Sequence, residues 1–293
     1  MMTAKCNLAC SYCILENAPY QIKQELNITE KERLISHLYN KLNIRSITLS
    51  GGEPLIIGQN HPSDFIRLLC FLKQFKSNKT KDNLIVKLYT NGLLLTDEIA
   101  SYMKDVIDEA SINIDSCNNN ILRRIGRSKT TDYYINVLES IKSLYKYKIP
   151  IKLHSVINAI NAETIGEEVS SILQDVKKAN PLLQSWKFFQ YMSYDNPDKD
   201  SLHKISNEEF NRICERIHEK LNQFSIKLQF KSNKEMEDSL FNILATGIVQ
   251  YRKPGDTWTT TQRTKMIFEY CSMEQLLKEN HIDIELFKKY HQL

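Results

Sequence analysis

Residues 46–54 read SITLSGGEP. Alternating apolar and polar side chains from Ser46 to Ser50 predict a half-buried strand, and the pair Gly51-Gly52 ends it. Upstream, 29–43 has helical periodicity, with Thr29 and Glu32 spaced as a capping box. Downstream, 62–76 is again helical in period. The same alternation continues along the chain. Strands are predicted over 84–90, 110–115, 150–157, 184–190 and 226–230, and helices over 96–107, 131–148, 161–178 and 206–223. Strand and helix alternate six times, which predicts the α/β class. The sheet would be parallel with crossover helices, either open or curled into a partial barrel. Any strand ahead of 46–50 must come from residues 1–5, unless the chain's start lies upstream. From about 234 the pattern reads as helices plus one irregular stretch, 252–264.

Composition excludes several classes. Of 293 residues, 42% are hydrophobic and 25% charged, which is ordinary for a globular chain and rules out collagen-like, coiled-coil and wholly disordered readings. The net charge of +4 is too small to argue for direct nucleic-acid binding, yet it leaves room for a local anion site. No run approaches the ~18–20 apolar residues of a membrane span. The first residues, MMTAKCNLAC, lack the apolar core of a signal peptide. The expected setting is a reducing cytoplasm, away from membranes. Glycine is scarce, at 8 residues, so the pair at 51–52 calls for an explanation.

There are seven cysteines, and an odd number argues against a disulfide framework. Cys70, Cys117, Cys214 and Cys271 are scattered and read as core hydrophobes or inert thiols. Cys6, Cys10 and Cys13 form a C-x3-C-x2-C run. Structural zinc takes four ligands, usually in two pairs, and there is no second C-x2-C pair here. Three cysteines without a fourth suit a [4Fe–4S] cluster that leaves one iron open to a small molecule. The plainer reading is chance clustering, or zinc completed by a distant histidine.

The C-x3-C-x2-C run, with aromatic Tyr12 before its last cysteine, together with Ser50-Gly51-Gly52-Glu53-Pro54, resembles the radical S-adenosylmethionine (SAM) superfamily. Further segments resemble the viperin family within it. They are INIDS at 112–116, IGR at 125–127, K-x2-SVIN at 152–158, WKFFQ at 186–190, ISNEEF at 205–210 and SNKEMEDS at 232–239. The resemblance implies a partial (β/α)6 radical SAM barrel over 1–230. A helical C-terminal extension over 231–293 would complete the nucleotide site. It also implies conversion of a nucleoside triphosphate (CTP, UTP or GTP) to its 3′-deoxy-3′,4′-didehydro analogue, a chain terminator used in antiviral or antiphage defence. A radical made from SAM would take the ribose 4′-hydrogen, and the 3′-hydroxyl would then leave. Carried over by position, Cys6, Cys10 and Cys13 would hold the [4Fe–4S] cluster. Tyr12, Gly51, Gly52, Glu53, Asn91, Ser116 and Arg127 would contact SAM, and Lys152 and Lys187 the triphosphate. A reductase or flavodoxin-type protein would donate electrons. Ser46, Ser185 and Leu240 depart from the family pattern, which bears on base choice and phosphate grip.

Strand parity supports an anion site separately. Side chains alternate faces along a strand. Lys152 and His154 therefore oppose Ile151 and Leu153, Lys187 opposes Trp186 and Phe188, and Lys227 opposes Ile226 and Leu228. With the apolar faces on the helices, the lysines point inward, where a bare ammonium would be costly and an anionic partner is implied. Lys227 ranks below Lys152 and Lys187, because parity does not place it along the strand axis. Lys152 and His154 are also the candidates for proton transfer, although a hydrogen-bonded interior histidine is the commoner case for His154. Two rival functions are a radical SAM peptide-modifying or activating enzyme and a metal-binding regulator. The first often carries further cysteine clusters, but only Cys214 and Cys271 follow here, far apart. The second would need neither the SGGEP turn nor inward lysines.

Overall fold

A computed structural model describes residues 1–15, 24–76, 82–127, 132–193, 196–233, 241–251, 262–280 and 282. Six strands form one parallel sheet in chain order: β1 (Ser46–Leu49), β2 (Ile85–Thr90), β3 (Glu109–Asn113), β4 (Ile151–Ile157), β5 (Leu183–Gln190) and β6 (Lys227–Lys231). Sequential order has a direct consequence. Each right-handed crossover places its helix on the same face of the sheet, leaving the other face free of crossovers. The six predicted strands and the six predicted helices are all present, within a few residues at their ends.

The chain divides into two compact units. The larger comprises residues 7–16 and 88–235. It holds α3 (Asp97–Met103), α4 (Asn119–Ile125), α5 (Tyr133–Lys146), α6 (Ile165–Ala179), α7 (Pro197–His203) and α8 (Asn207–Leu221). The long helices among these bury one stripe each, whereas α7 buries only His203. In α6 the stripe is Ile165, Val169, Ile172, Leu173 and Val176, and in α8 it is Phe210, Ile213, Ile217 and Leu221. That is the period expected of a helix lying on a sheet. Ser206 caps α8 by accepting from the Glu209 amide at 3.1 Å. The buried side of the sheet carries Ile112, Leu153, Trp186 and Phe188, each at 0% exposure. Helices α4 and α7 had no sequence signal long enough to stand out.

The other unit comprises residues 1–6, 17–87 and 236–293. It holds α1 (Ile28–Asn40) and α2 (Ser63–Leu72). The capping box of α1 sits two residues earlier than the sequence suggested. Asn27 accepts from the Glu30 amide at 2.9 Å, and the Glu30 carboxylate accepts from the Asn27 amide at 2.7 Å. Residues 1–5 form no strand of their own, only a parallel bridge from Thr3 to Gly51.

The helical reading of the tail is overturned. The described part contains a three-stranded antiparallel sheet, β7 (Phe241–Ile243), β8 (Ile248–Tyr251) and β9 (Gln262–Met266), and one helix, α9 (Met273–Glu279). Gly247, at φ +84, allows the tight return between β7 and β8, a left-handed conformation that glycine adopts without steric cost. Most of 252–264, including 252–261, lies outside the described residues, as do Leu240 and most of SNKEMEDS. No described helix is long and apolar enough to cross a membrane.

Candidate active site

In the larger unit, the segment carrying Cys10 and Cys13 is pinned from several sides. Helix α4 ends on Gly126 at φ +80. A Cβ there would stand 2.3 Å from the Ala9 carbonyl oxygen, so the close approach requires glycine. The Ile125 carbonyl accepts from the Ser11 amide at 2.8 Å and from its hydroxyl at 3.0 Å. Lys199 on α7 donates to the Cys13 carbonyl at 2.7 Å. Asn91, just after β2, donates to the Asn7 side chain at 2.8 Å. Cys10 is buried and Cys13 half-buried.

Tyr12, between those cysteines, enters a buried charged network. Its hydroxyl donates to Asp115 at 2.6 Å and accepts from Arg127 at 2.5 Å. Arg127 Nε donates to the same carboxylate oxygen, and its other amino group donates to the Tyr133 hydroxyl at 3.3 Å. Asp115 also accepts from the Val156 amide at 2.8 Å. Burial holds the Tyr12 phenol well above its ordinary pKa, so it stays protonated and donates. The sequence reading named Tyr12 and Arg127 but missed Asp115, the hub between them. Its only signal was an aspartate ending the apolar run INID, where an unpaired charge could not be buried.

Ser116 is fully buried and donates to Glu168 at 2.5 Å. The same carboxylate accepts from the Cys117 amide at 2.8 Å, and burial followed by Glu168 pushes the Cys117 thiol up to about 11. Cys70 and Cys271 are exposed free thiols, so of the two readings given for the scattered cysteines the core one does not apply to them.

In the smaller unit, the SGGEP turn lies along residues 3–5. The Gly52 amide donates to the Thr3 carbonyl and the Glu53 amide to the Lys5 carbonyl, each at 2.8 Å. A Cβ on Gly51 would stand 2.2 Å from the Thr3 oxygen, and one on Gly52 would stand 2.0 Å from the Lys5 oxygen. The close approach the pair permits here is to the chain's own backbone. Glu53 is fully buried and accepts from the Leu55 amide at 3.2 Å. Cys6, in this unit, is exposed.

The register of β3 to β6 places Lys152 beside Ser111 and Ser185, and His154 beside Asn113 and Lys187. Lys152, His154 and Lys187 thus share the face opposite Leu153, Trp186 and Phe188. The implied anion for Lys152 is supplied within the protein, because its ammonium pairs with Glu109 at 2.8 Å. Lys187 lies 4.9 Å above the Phe189 ring. His154 is 5% exposed, between the rings of Tyr89 at 4.8 Å and Phe189 at 5.3 Å. Burial first, then Lys187 and Lys152, lower its pKa to about 3, so it is neutral at physiological pH. Lys227 opens β6 opposite Ser185, on the same face as Lys152, but at this strand end it is exposed. Ser46 is exposed and Ser185 buried.

Within the larger unit, Cys10 and Cys13 are donors of the chemical kind that a cubane takes. Its donors are soft thiolates, one on each of three irons, and none of the seven cysteines forms a disulfide. Among the described residues no three His, Cys, Asp or Glu side chains gather around a single ion, which is a different requirement.

Residues 1–174 match the family model for the radical SAM superfamily, and the chain belongs to that superfamily. Its six-stranded parallel sheet is the radical SAM partial barrel, and its cofactors are a [4Fe–4S] cluster and SAM. A probable GTP 3′,8-cyclase from Thermococcus kodakarensis is 26% identical over 232 residues, covering 76% of this chain and 69% of that protein. The S-adenosylmethionine-dependent nucleotide dehydratase RSAD2 of Oncorhynchus mykiss is 26% identical over 246 residues, covering 81% and 64%. Among solved structures, native anSMEcpe with bound AdoMet and Kp18Cys peptide superposes at a TM-score of 0.69 with 15% identity, covering 98% of this chain and 82% of that one. Streptococcus suis SuiB bound to precursor peptide SuiA superposes at 0.66 with 14% identity, and the chain spans 65% of its length. At these identities the structural likeness concerns the fold alone.

Proposed function

We propose that this radical SAM enzyme converts a nucleoside triphosphate to its 3′-deoxy-3′,4′-didehydro analogue, a chain terminator in antiviral or antiphage defence. The observation that carries the reading is the polar face of β4 and β5. Lys152 and Lys187 stand there beside a neutral imidazole, on the face opposite the apolar Leu153, Trp186 and Phe188. Named relatives of both kinds, the GTP cyclases and the nucleotide dehydratase, act on nucleotides. The viperin-like segments favour the dehydratase.

When bound, the cluster and SAM supply the one-electron chemistry that opens a C–H bond. Cys6, Cys10 and Cys13 are the proposed ligands. Tyr12, Gly51, Gly52, Glu53, Asn91, Ser116 and Arg127 are the proposed residues of the SAM site. The structure bears on how three of these would act. The side-chain hydroxyls of Tyr12 and Ser116 and the guanidinium of Arg127 already have protein partners. Their contribution is to fix the shape of the site rather than to reach out with a free group. Lys152 and Lys187 would hold the phosphates, fixing the ribose toward the C-terminal ends of the strands, where α/β folds place their chemistry. His154 and Lys152 remain the candidates for proton transfer. Lys227, at an exposed strand end, is a candidate only for an outer phosphate. Within this reading residues 1–230 form the barrel and 231–293 an extension to it. The protein works in a reducing cytoplasm with a reductase or flavodoxin-type donor.

The test is anaerobic incubation of the reconstituted protein with SAM, reductant and each nucleoside triphosphate, deuterated at single ribose positions. The expected result is 5′-deoxyadenosine carrying one deuterium from C4′. Deuterium from C3′ would overturn the reading in favour of 3′,8-cyclisation, since that bond forms at C3′. Deuterium from an added peptide would favour a peptide-modifying enzyme.

A further inference from the structure

One row across the sheet holds Ser111 on β3, Lys152 on β4, Ser185 on β5 and, at its exposed end, Lys227 on β6. Both serines are inside the protein, at 0% and 2% exposure. Neither hydroxyl oxygen has a hydrogen-bond partner. Buried hydroxyls are ordinarily paired, and each exception needs an explanation. Here two exceptions flank a single lysine. Its ammonium is turned to Glu109 at 2.8 Å, with Lys152 30% and Glu109 11% exposed. Glu109 lies two residues before Ser111, on the same face of β3. The row therefore offers two buried hydroxyl donors and the Lys152 ammonium, with the exposed Lys227 ammonium at its edge, and the carboxylate beside it is engaged by Lys152.

What would complete such a row is a group with several acceptor oxygens and no donor of its own. An ionised terminal phosphate is such a group, and it also attracts the ammonium. Position agrees with this. From Lys152 to the end of β4 at Ile157 the strand rises about 17 Å, a length comparable to an extended phosphate chain and its sugar. A phosphate seated at this row would leave the ribose near the C-terminal ends of the strands.

Resting on the nucleotide reading above, we propose that this row seats the terminal phosphate, and that Lys152 changes partner from Glu109 to that phosphate on binding. Ser111 and Ser185 then donate to its oxygens. Glu109 determines specificity. An anion must attract Lys152 more strongly than Glu109 does, so a weakly charged phosphate is rejected and a polyphosphate is admitted. The two hydroxyls stay unsatisfied in the free protein, a cost carried for the sake of the ligand.

Isothermal titration of the full-length reconstituted protein with inorganic tripolyphosphate, orthophosphate and nucleoside triphosphates tests this, alongside melting curves without ligand. Ser111→Ala and Ser185→Ala should each weaken tripolyphosphate binding by about threefold to tenfold. Their melting temperatures should be unchanged or higher, because each deletes an unpaired buried hydroxyl. Glu109→Gln should tighten tripolyphosphate by about tenfold and narrow its advantage over orthophosphate. Serine variants that melt lower and bind normally would show a structural role and overturn the proposal, as would a Glu109→Gln protein that binds no more tightly. If Glu109→Gln does not fold, the serine pair decides alone. Should Lys187→Ala weaken binding while the row variants leave it intact, the nucleotide reading stands and the row proposal falls. If the wild-type protein binds neither tripolyphosphate nor any nucleotide, both fall. Tight tripolyphosphate with no added affinity from any nucleoside would identify the ligand as a free polyphosphate.

Discussion

Replacing Asp115 by Asn should cost this protein a large part of its stability and loosen the segment between Cys10 and Cys13. Asp115 is fully buried and Arg127 is 4% exposed. The carboxylate receives the Arg127 guanidinium, the Tyr12 hydroxyl at 2.6 Å and the Val156 amide at 2.8 Å. Asparagine keeps the shape and one acceptor oxygen but leaves a buried guanidinium without its counter-charge. Breaking a buried pair in this way costs about 3–5 kcal/mol, against a total of roughly 5–15 kcal/mol for a domain. Tyr12→Phe removes two hydrogen bonds to charged groups, the one donated to Asp115 and the one accepted from Arg127, at about 1.5–3 kcal/mol each. The double variant should fall short of the sum, because the partners are shared. Urea unfolding of the full chain measures these costs, and iron per chain at limiting iron measures the loop. The asparagine variant should bind less iron, since the freed loop must be ordered again when thiolates bind. An Asp115→Asn protein within about 1 kcal/mol of wild type would refute the claim that this pair is dry and mutually dependent.

Three further outcomes are expected. Anaerobic reconstitution should yield about four irons per chain; alanine at Cys6, Cys10 or Cys13 should abolish the iron and SAM cleavage together, while alanine at Cys70, Cys117, Cys214 or Cys271 leaves iron content intact. Lys152→Ala and Lys187→Ala should each weaken triphosphate binding by roughly 1.5–3 kcal/mol with SAM binding little changed; equal affinity of the wild type for a triphosphate and its nucleoside would contradict this. His154 sets a pH dependence: its folded value near 3 lies below the ordinary 6.5, so between these values the unfolded chain binds a proton that the folded chain refuses. Stability is therefore complete above 6.5 and falls as pH drops, by up to about 1.4 kcal/mol per unit. His154→Gln should flatten the melting-temperature slope across that window, and an unchanged slope would show that the imidazole is not the group responsible.

What could be read from the sequence divides along physical lines. Strands β1 to β6 were legible because burial on one face writes a period of two into the residues, and the helices between them write 3.6. Sheet β7–β9 was not. FNILATGIVQY at 241–251 is an apolar run with a single glycine, and the left-handed turn at Gly247 that folds it back has no second marker. The cysteine spacing was legible because cluster chemistry confines its ligands to one loop. The glycine pair was legible as a place of close approach, but its neighbours, the Thr3 and Lys5 oxygens, were not, because a sequence shows that backbone must come close but not to what. Asp115, Glu109 and Ser111 were invisible, and Ser185 stood out only as a departure from the family pattern, for a common reason. Each matters through a partner on another strand or loop, or through the lack of one, and pairing across a sheet has no local signature. Parity placed Lys152 on its face but could not reveal that Glu109 already holds its ammonium. The lysine that looked like an anion site in one dimension is, in three, an ion pair that a stronger anion has to break.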